Sequence, residues 1–334
     1  MSRPLRILVA TSMYPSASDP ALGAFVPDQV RSLQAAGVDV DTFVIDPGKT
    51  RLNYGLKVAP LLRRLRSRRY DLVHTHHTYS LLTVLAAKRL AGVLVPIVLT
   101  SHENEITDPR HKTRTWHPSS YLRHALGFKR FVARGASFII LVNSQLDAVV
   151  PTRKKYEVIP CGIDLEKFKA LDQRACRACL GIPLDAKVVF FPGRPWLDYK
   201  RFPLAQATFD MVRRRVPEAV LVTGGAARYD QMPLYFNASD VVLQTSFSEA
   251  SPAVVKEALA CEVPVVSTDA GDTREIIDGV PHCFICSPDP SELANRVLSS
   301  IGQRAVGGRE RLRALGLSLD QVAARIITVY QRVA

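Results

Sequence analysis

The chain has 334 residues, 47% of them hydrophobic and 22% charged, with 44 Lys and Arg against 31 Asp and Glu for a formal charge of +13. That composition excludes a disordered or fibrous protein, and the length exceeds what one hydrophobic core usually serves, so two domains of roughly 150 residues each are expected. The longest apolar run, Ser80 to Thr100, is interrupted by Lys88, Arg89 and Pro96 and reads as a helix followed by a strand, not a membrane span.

Met1-Ser2-Arg3-Pro4 leads straight into a strand-like segment without a secretion signal, which points to a cytoplasmic protein. In the first half, strands are expected at Ile7 to Thr11, Val38 to Ile45, Leu72 to His74, Pro96 to Thr100, Phe138 to Val142 and Glu157 to Ile159, with helical stretches between most of them. Proline and glycine in Ile159-Pro160-Cys161-Gly162-Ile163-Asp164 then punctuate the pattern, and a polar stretch follows from Asp172 to Arg177. Strands resume at Val188 to Pro192, Val220 to Thr223, Val241 to Gln244 and Val263 to Ser267. Strands alternating with helices argue for an α/β fold with two doubly wound parallel sheets. The domains are expected over 1–165 and 166–317. A last helix over about 318–334, with Val322, Ile326, Val329 and Tyr330 at helical spacing, is expected to return to the first domain.

Basic residues concentrate in the first half. Eight Lys or Arg and no acid lie between Pro47 and Tyr70, and seven with no acid between Pro109 and Leu146. Leu61, Leu62 and Leu65 give the first stretch a core side, so its arginines read either as a solvated helix face or as the footprint of an anionic partner. Two C-x-x-C pairs, Cys176/Cys179 and Cys283/Cys286, have the spacing of zinc ligands. The first sits in a helical pattern with no turn glycine, and neither has a zinc-ribbon context, so free thiols are expected.

The segment Ser248-Glu249-Ala250-Ser251-Pro252-Ala253-Val254-Val255-Lys256-Glu257 carries the clearest chemistry. Ser251 as N-cap and Pro252 as first helical residue predict a helix starting where the strand ending at Gln244 empties into a loop. A helix N-terminus at the carboxyl end of parallel strands favours phosphate, because its amides are unsatisfied and its dipole is positive there. Glu257 lies far enough along the helix to reach a ribose diol, and Glu249 lies nearer a transferred group. Upstream, Gly193, Arg194 and Lys200 leave another strand and set two cations six residues apart, suited to the charge of a departing pyrophosphate.

The spacing E-x7-E from Glu249 to Glu257, the G-R…K loop, V-I-P-C-G-I-D at Val158 to Asp164 and D-L-V-H-T-H-H from Asp71 to His77 together resemble family 4 of the retaining GT-B glycosyltransferases over nearly the whole chain. The resemblance implies a GT-B architecture of two Rossmann-like domains facing a central cleft, and metal-independent, retaining transfer of a sugar from a nucleoside diphosphate donor to a hydroxyl acceptor, in polysaccharide, glycolipid or glycoconjugate synthesis. It implies that Arg194 and Lys200 hold the diphosphate, Glu257 the ribose and Glu249 a sugar hydroxyl. Gly193, Gly224 and the segment Ala250, Ser251, Pro252 and Ala253 complete the donor site. In the first half it places Gly23 at the donor and His102 near the donor sugar, with His76, Glu103 and Asn104 on the acceptor side. His74, His76 and His77 read as one packed and two lining residues, not as a metal cluster. No metal or cofactor is expected beyond the nucleotide sugar as co-substrate. Ala250 and Glu262 depart from the family pattern, as does the short stretch from Gly224 to Met232, which trims the nucleobase pocket.

Three rivals are weaker. A glycoside hydrolase needs Glu249 and Glu257 flanking one bond. A dinucleotide oxidoreductase needs G-x-G-x-x-G after a leading strand. A nucleic-acid-binding or other anionic-surface protein without transferase activity fits the charge but lacks a recognition motif. An anionic membrane at the inner face of the cell membrane, or a lipid-linked acceptor, accounts for the same asymmetry.

Overall fold

The computed structural model describes the chain except residues 1–2, 17–18, 20–21, 46–51, 103–125, 152–153 and 226. Short apolar strands alternate with helices twice over, and the chain divides into two units, Met1–Gly162 with Leu319–Ala334, and Ile163–Ser318. The second unit starts at Ile163, ahead of the expected 166, because Ile163 and Leu165 are already buried in its core.

In the first unit, strands β1 (Arg6–Thr11), β2 (Asp39–Val44), β3 (Leu72–His76), β4 (Ile97–Ser101), β5 (Phe138–Leu141) and β6 (Tyr156–Val158) form one parallel sheet in the order β2-β1-β3-β4-β5-β6. Helices α1 (Phe25–Ala35), α2 (Leu52–Leu56), α3 (Val58–Ser67), α4 (Thr78–Ala91) and α5 (Leu126–Ala133) connect them. β3, β4 and β5 are buried along their whole length, and of the three only β5 is apolar throughout. β3 runs two residues beyond the expected end at His74, since His74, Thr75 and His76 pair with β1 and β4 despite their polarity.

In the second unit, α6 (Gln173–Leu180) precedes β7 (Lys187–Phe191), α7 (Phe202–Arg215), β8 (Ala219–Thr223), α8 (Met232–Ala238) and β9 (Val241–Gln244). Then come α9 (Ala253–Ala260), β10 (Val265–Thr268), α10 (Thr273–Ile277), β11 (Phe284–Cys286), α11 (Pro290–Ser300) and α12 (Gly308–Ala314). The sheet is parallel in the order β11-β10-β9-β7-β8. The polar stretch expected near the boundary becomes α6, capped by the Asp172 side chain on the Ala175 amide. β10 starts only at Val265, after Pro264, which has no amide to donate to the ladder. β11, absent from the sequence pattern, is three residues of edge strand and too short to show a period.

The last helix, α13 (Leu319–Val333), buries Val322, Ala323, Ile326, Val329 and Tyr330 against Val9, Val98 and Ile140 in the first unit. The Ser32 hydroxyl on α1 donates to the Leu319 carbonyl at 2.8 Å and anchors its start. Each sheet reverses its strand order beside its first strand, between β1 and β3 and between β7 and β9. The carboxyl ends of those strands are where an open parallel sheet leaves room for a ligand.

One ion pair sets the base of the second unit. Arg177 of α6 donates to Asp240 at 2.8 Å and to the carbonyls of Ala238 and Leu184, while the same Asp240 oxygen accepts from the Val188 amide of β7. Both side chains are 5% exposed. Asp240→Ala should strand the guanidinium and the Val188 amide, lowering the stability of this unit by about 3–5 kcal/mol, read as a shifted urea transition.

Candidate active site

The loop after β7 begins with Pro192 and Gly193, where a side chain would meet the Phe191 ring at 2.9 Å and the Lys200 stem at 3.3 Å. Gly224, after β8, lies so close to Pro192 that a Cβ would stand 2.7 Å from its carbonyl oxygen, and its amide donates to Phe191. These two glycines let the loop fold tightly over the strand ends. Arg194 is half-buried in that loop, and a 3-10 turn over Asp198–Lys200 aims Lys200 at the neighbouring loop. There the ammonium donates to Glu249 Oε1 at 2.5 Å, and the Ser246 hydroxyl donates to the same oxygen at 2.7 Å.

Burial alone would push the Lys200 ammonium down, but the Glu249 carboxylate, with smaller help from Tyr199 and Glu257, turns the net shift upward. Lys200 therefore keeps its charge at neutral pH. Glu257, in the second turn of α9, is 3% exposed and contributes to the field on Lys200. Sequence reasoning missed Arg201, which sits at φ +50° and donates to the carbonyls of Thr245 at 2.6 Å and Ser246 at 3.2 Å. The Thr245 hydroxyl answers with a bond to the Lys200 carbonyl, and the Phe247 amide bonds Tyr199. The loops after β7 and β9 are thus one hydrogen-bonded unit.

The start of α9 differs from expectation. Its first residue is Ala253 with Pro252 in the capping position, and no side chain caps it. Ser251 does not act as N-cap, because its hydroxyl donates to Asp272 Oδ2 at 2.7 Å and accepts from Lys256 Nζ at 2.8 Å. Lys256 is 1% exposed. Burial raises the Asp272 carboxyl, and its Oδ1 has no hydrogen-bond partner among the described residues. Gly271, at φ +61°, brings the next loop against Glu249 and Ala250, where a Cβ would meet both carbonyl oxygens at 2.9 Å. No periodic pattern announces the Lys256–Ser251–Asp272 cluster, since its members belong to two different loops and a helix.

In the first unit, Gly23 adopts φ +62° immediately before α1, and a Cβ there would overlap the Met13 backbone at 2.3 Å. Any other residue would displace the loop after β1. Two residues on, the Phe25 ring lies against those of His76 and His102. His74 bonds Tyr330 Oη at 2.6 Å and Thr100 Oγ1 at 2.7 Å, while His76 Nδ1 lies 3.0 Å from His102 Nε2. His102 Nδ1 lies 3.8 Å from the Cys161 sulfur, and the Phe25 ring stands 4.8 Å from the His102 ring.

His76 is corrected from a lining to a buried residue, because the extended β3 turns it inward with no exposed surface. Burial pushes its pKa down to about 3 and drives that of His74 well down too. His77 is half-buried and caps α4 at φ 77°, its ring accepting from the Tyr79 amide. Glu103 and Asn104 lie outside the described residues.

The four C-x-x-C cysteines are free thiols. Cys283 packs on the same core as α9 while Cys286 belongs to the core on the opposite face of the sheet, so that pair cannot converge on one ion. Burial pushes both thiols up, Cys283 to about 12 and Cys286 to about 11. Among the described residues, no group of three His, Cys, Asp or Glu has the arrangement of a metal site.

Comparison with known proteins relates the chain to glycosyltransferases. Residues 9–167 match the family described as Glycosyltransferase Family 4, and residues 187–303 match Glycosyl transferases group 1. The putative teichuronic acid biosynthesis glycosyltransferase TuaC of Bacillus subtilis is 26% identical, over 88% of both chains. The D-inositol 3-phosphate glycosyltransferase of Xylanimonas cellulosilytica is 27% identical over 78% of this chain and 72% of its own. Among solved structures, the sucrose-phosphate synthase of Thermosynechococcus elongatus superposes with a TM-score of 0.79 at 18% identity, covering 99% of each chain. Anabaena HepE, in complex with UDP and glucose, gives 0.69 at 19% identity, covering 98% of this chain and 99% of its own.

The Lys200–Glu249 pair generates a stability prediction. A raised lysine pKa means the pair's contribution is complete below the ordinary value of 10.5 and fades only as pH climbs above it. Glu249→Gln should therefore lower the melting temperature at pH 7, by an amount corresponding to roughly 1–3 kcal/mol for a cation deprived of its charged acceptor. An unchanged melting temperature would mean that solvent already screens the pair.

Proposed function

The chain belongs to the family 4 glycosyltransferases and has the GT-B fold, and on that footing we propose that it transfers a sugar from a nucleoside diphosphate donor to a hydroxyl acceptor, with retention at the anomeric carbon and without a metal ion. The observation that carries this reading is the charged pair of Lys200 and Glu249 at the β7/β9 strand ends, beside an uncapped helix N-terminus. The first-turn amides of α9 and the positive pole of that helix favour the donor's phosphates. Arg194 and Lys200 supply the positive charge, which stabilises the negative charge growing on the leaving diphosphate and takes the part a divalent cation would otherwise play.

As the bond between the anomeric carbon and the phosphate oxygen breaks, its electron pair goes to the diphosphate. The acceptor oxygen then bonds the same face of that carbon, and its proton passes to the departing phosphate. Lys200 shifts its hydrogen bond from Glu249 toward this new charge, which frees Glu249 to accept from donor-sugar hydroxyls. Glu257 accepts from the ribose diol. HepE has been solved with UDP and with UDP-glucose, which makes UDP the first nucleotide to try.

Polysaccharide, glycolipid or glycoconjugate synthesis is the setting we propose, in keeping with the relative named for teichuronic acid biosynthesis. We also place the protein in the cytoplasm, peripheral on the inner face of the membrane and facing a lipid-linked acceptor. No helix among the described residues is long and apolar enough to cross a membrane. Arg64 and Arg68 are committed to Asp41 and Asp39, which takes two of the eight basic residues between Pro47 and Tyr70 out of the basic surface. What remains exposed is mixed: Leu52, Leu56, Leu90, Leu94 and Phe131 beside Arg63, Arg66, Arg89 and Arg134 on the connected helices α2, α3, α4 and α5 and the turn after α4. Apolar side chains among cations fit an anionic lipid surface better than a nucleic acid.

Thermal-shift titration with UDP, GDP, ADP, CMP and dTDP in EDTA should show stabilisation by one nucleoside diphosphate. A shift that appears only with magnesium would overturn the metal-independent mechanism. Lys200→Ala should reduce transfer about 100-fold or more while leaving the fold intact. In flotation, vesicles containing phosphatidylglycerol should carry the protein and pure phosphatidylcholine vesicles should not; binding to both alike, or to neither, would remove the anionic membrane.

A further inference from the structure

The polar end of the first unit's core holds three imidazoles in series, and their hydrogen bonds can be assigned. His74 is satisfied on both nitrogens, by Tyr330 of α13 and Thr100 of β4. His76, next along the same face of β3, has its Nδ1 3.0 Å from His102 Nε2, while the ring centroids stand 5.3 Å apart with planes 23° from parallel, so the two rings meet nitrogen edge to nitrogen edge and not face on face, as a hydrogen bond requires. His76 Nε2 is buried and finds no hydrogen-bond partner among the described residues. A neutral imidazole carries one proton, and the two placements differ in what they leave orphaned. With the proton on Nε2, His76 buries an N–H donor without a partner. With the proton on Nδ1, it buries only an unpaired acceptor, which proteins tolerate more readily.

We propose that His76 is a positioning residue that donates from Nδ1–H to His102 Nε2, and so holds His102 as its neutral Nδ1–H tautomer, with that N–H directed at the Cys161 sulfur. Charging His102 would place a proton on its Nε2 as well. His76 would then have to accept on Nδ1 and shift its own proton to the orphaned Nε2, so the buried partner opposes the imidazolium. His76 cannot relieve the conflict by becoming cationic, since burial holds its own pKa near 3. Among the described residues, the titratable groups seen against this series include Cys161, from the segment after β6, at His102, and His74 of β3 at His76, with Tyr330 of α13 bonded to His74 and held protonated by burial.

The consequence for catalysis rests on the proposed reading that His102 faces the donor sugar. A cation there would oppose the positive charge that develops at the anomeric carbon, so a neutral ring is required. His102 is then a fixed neutral wall of the site and not its acid or base, and the acceptor proton must leave by the donor phosphate.

The test uses the full-length protein with 15N-labelled histidine. Long-range proton–nitrogen spectra should show His102 protonated on Nδ1 and unchanged from pH 8 to pH 5, with no nucleotide present. An Nε2–H tautomer, or titration of His102 within that range, would overturn the proposal whether or not the protein proves to be a transferase. His76→Leu should release His102 to titrate near the ordinary imidazole value of about 6.5, giving a new acidic limb in kcat with roughly a tenfold loss between pH 8 and pH 5.5. His76→Asn, whose side-chain amide can donate from nearly the position of Nδ1, should restore the flat profile. Identical pH profiles for wild type and His76→Leu would refute the positioning role, and should that variant fail to fold, the wild-type tautomer still decides.

Discussion

The donation of Lys200 to Glu249 is the interaction on which the second unit's site depends. It joins a cation from the loop after β7 to a carboxylate from the loop after β9, the two strands between which the sheet reverses its order. Because a buried ammonium without an anion is costly, the pair determines how both loops lie. Arg201 then needs only backbone carbonyls to complete the junction. A lysine held charged by a protein carboxylate can exchange one anion for another without changing its protonation state.

The first unit solves a different problem. Its sheet end is lined with imidazoles where apolar residues would be usual, and burial keeps those of His74 and His76 neutral. Tyr330 reaches them from the last helix, so the chain's C-terminal segment is part of the support of the N-terminal half. The Phe25 ring lies against them from α1.

Charge counting along the chain proved a coarse guide. The run between Pro47 and Tyr70 has no acid of its own, yet Asp39 and Asp41 of β2 neutralise two of its arginines across the sheet edge. What distinguishes the remaining surface is the company of exposed leucines, which a net charge does not report.

Strand and helix order, the parallel class of both sheets and the placing of Lys200 and Glu249 at the strand ends were legible in the chain because each rests on local information: hydrophobic period, turn residues and a helix start at a fixed spacing. The family resemblance rested on the same strings. The capping role assigned to Ser251 failed because a hydroxyl takes whichever partner folding brings closest, and Asp272 and Lys256 arrive from elsewhere. The same holds for His76: two residues of unpredicted strand turned it from the surface into the core and made a supporting group of it. Sequence by itself determined which elements form and which side chains gather at their ends. Only the tertiary structure decided which of those side chains bond one another and which stay charged, because hydrogen bonds and protonation depend on distances across loops and on burial, and neither is encoded in any one segment.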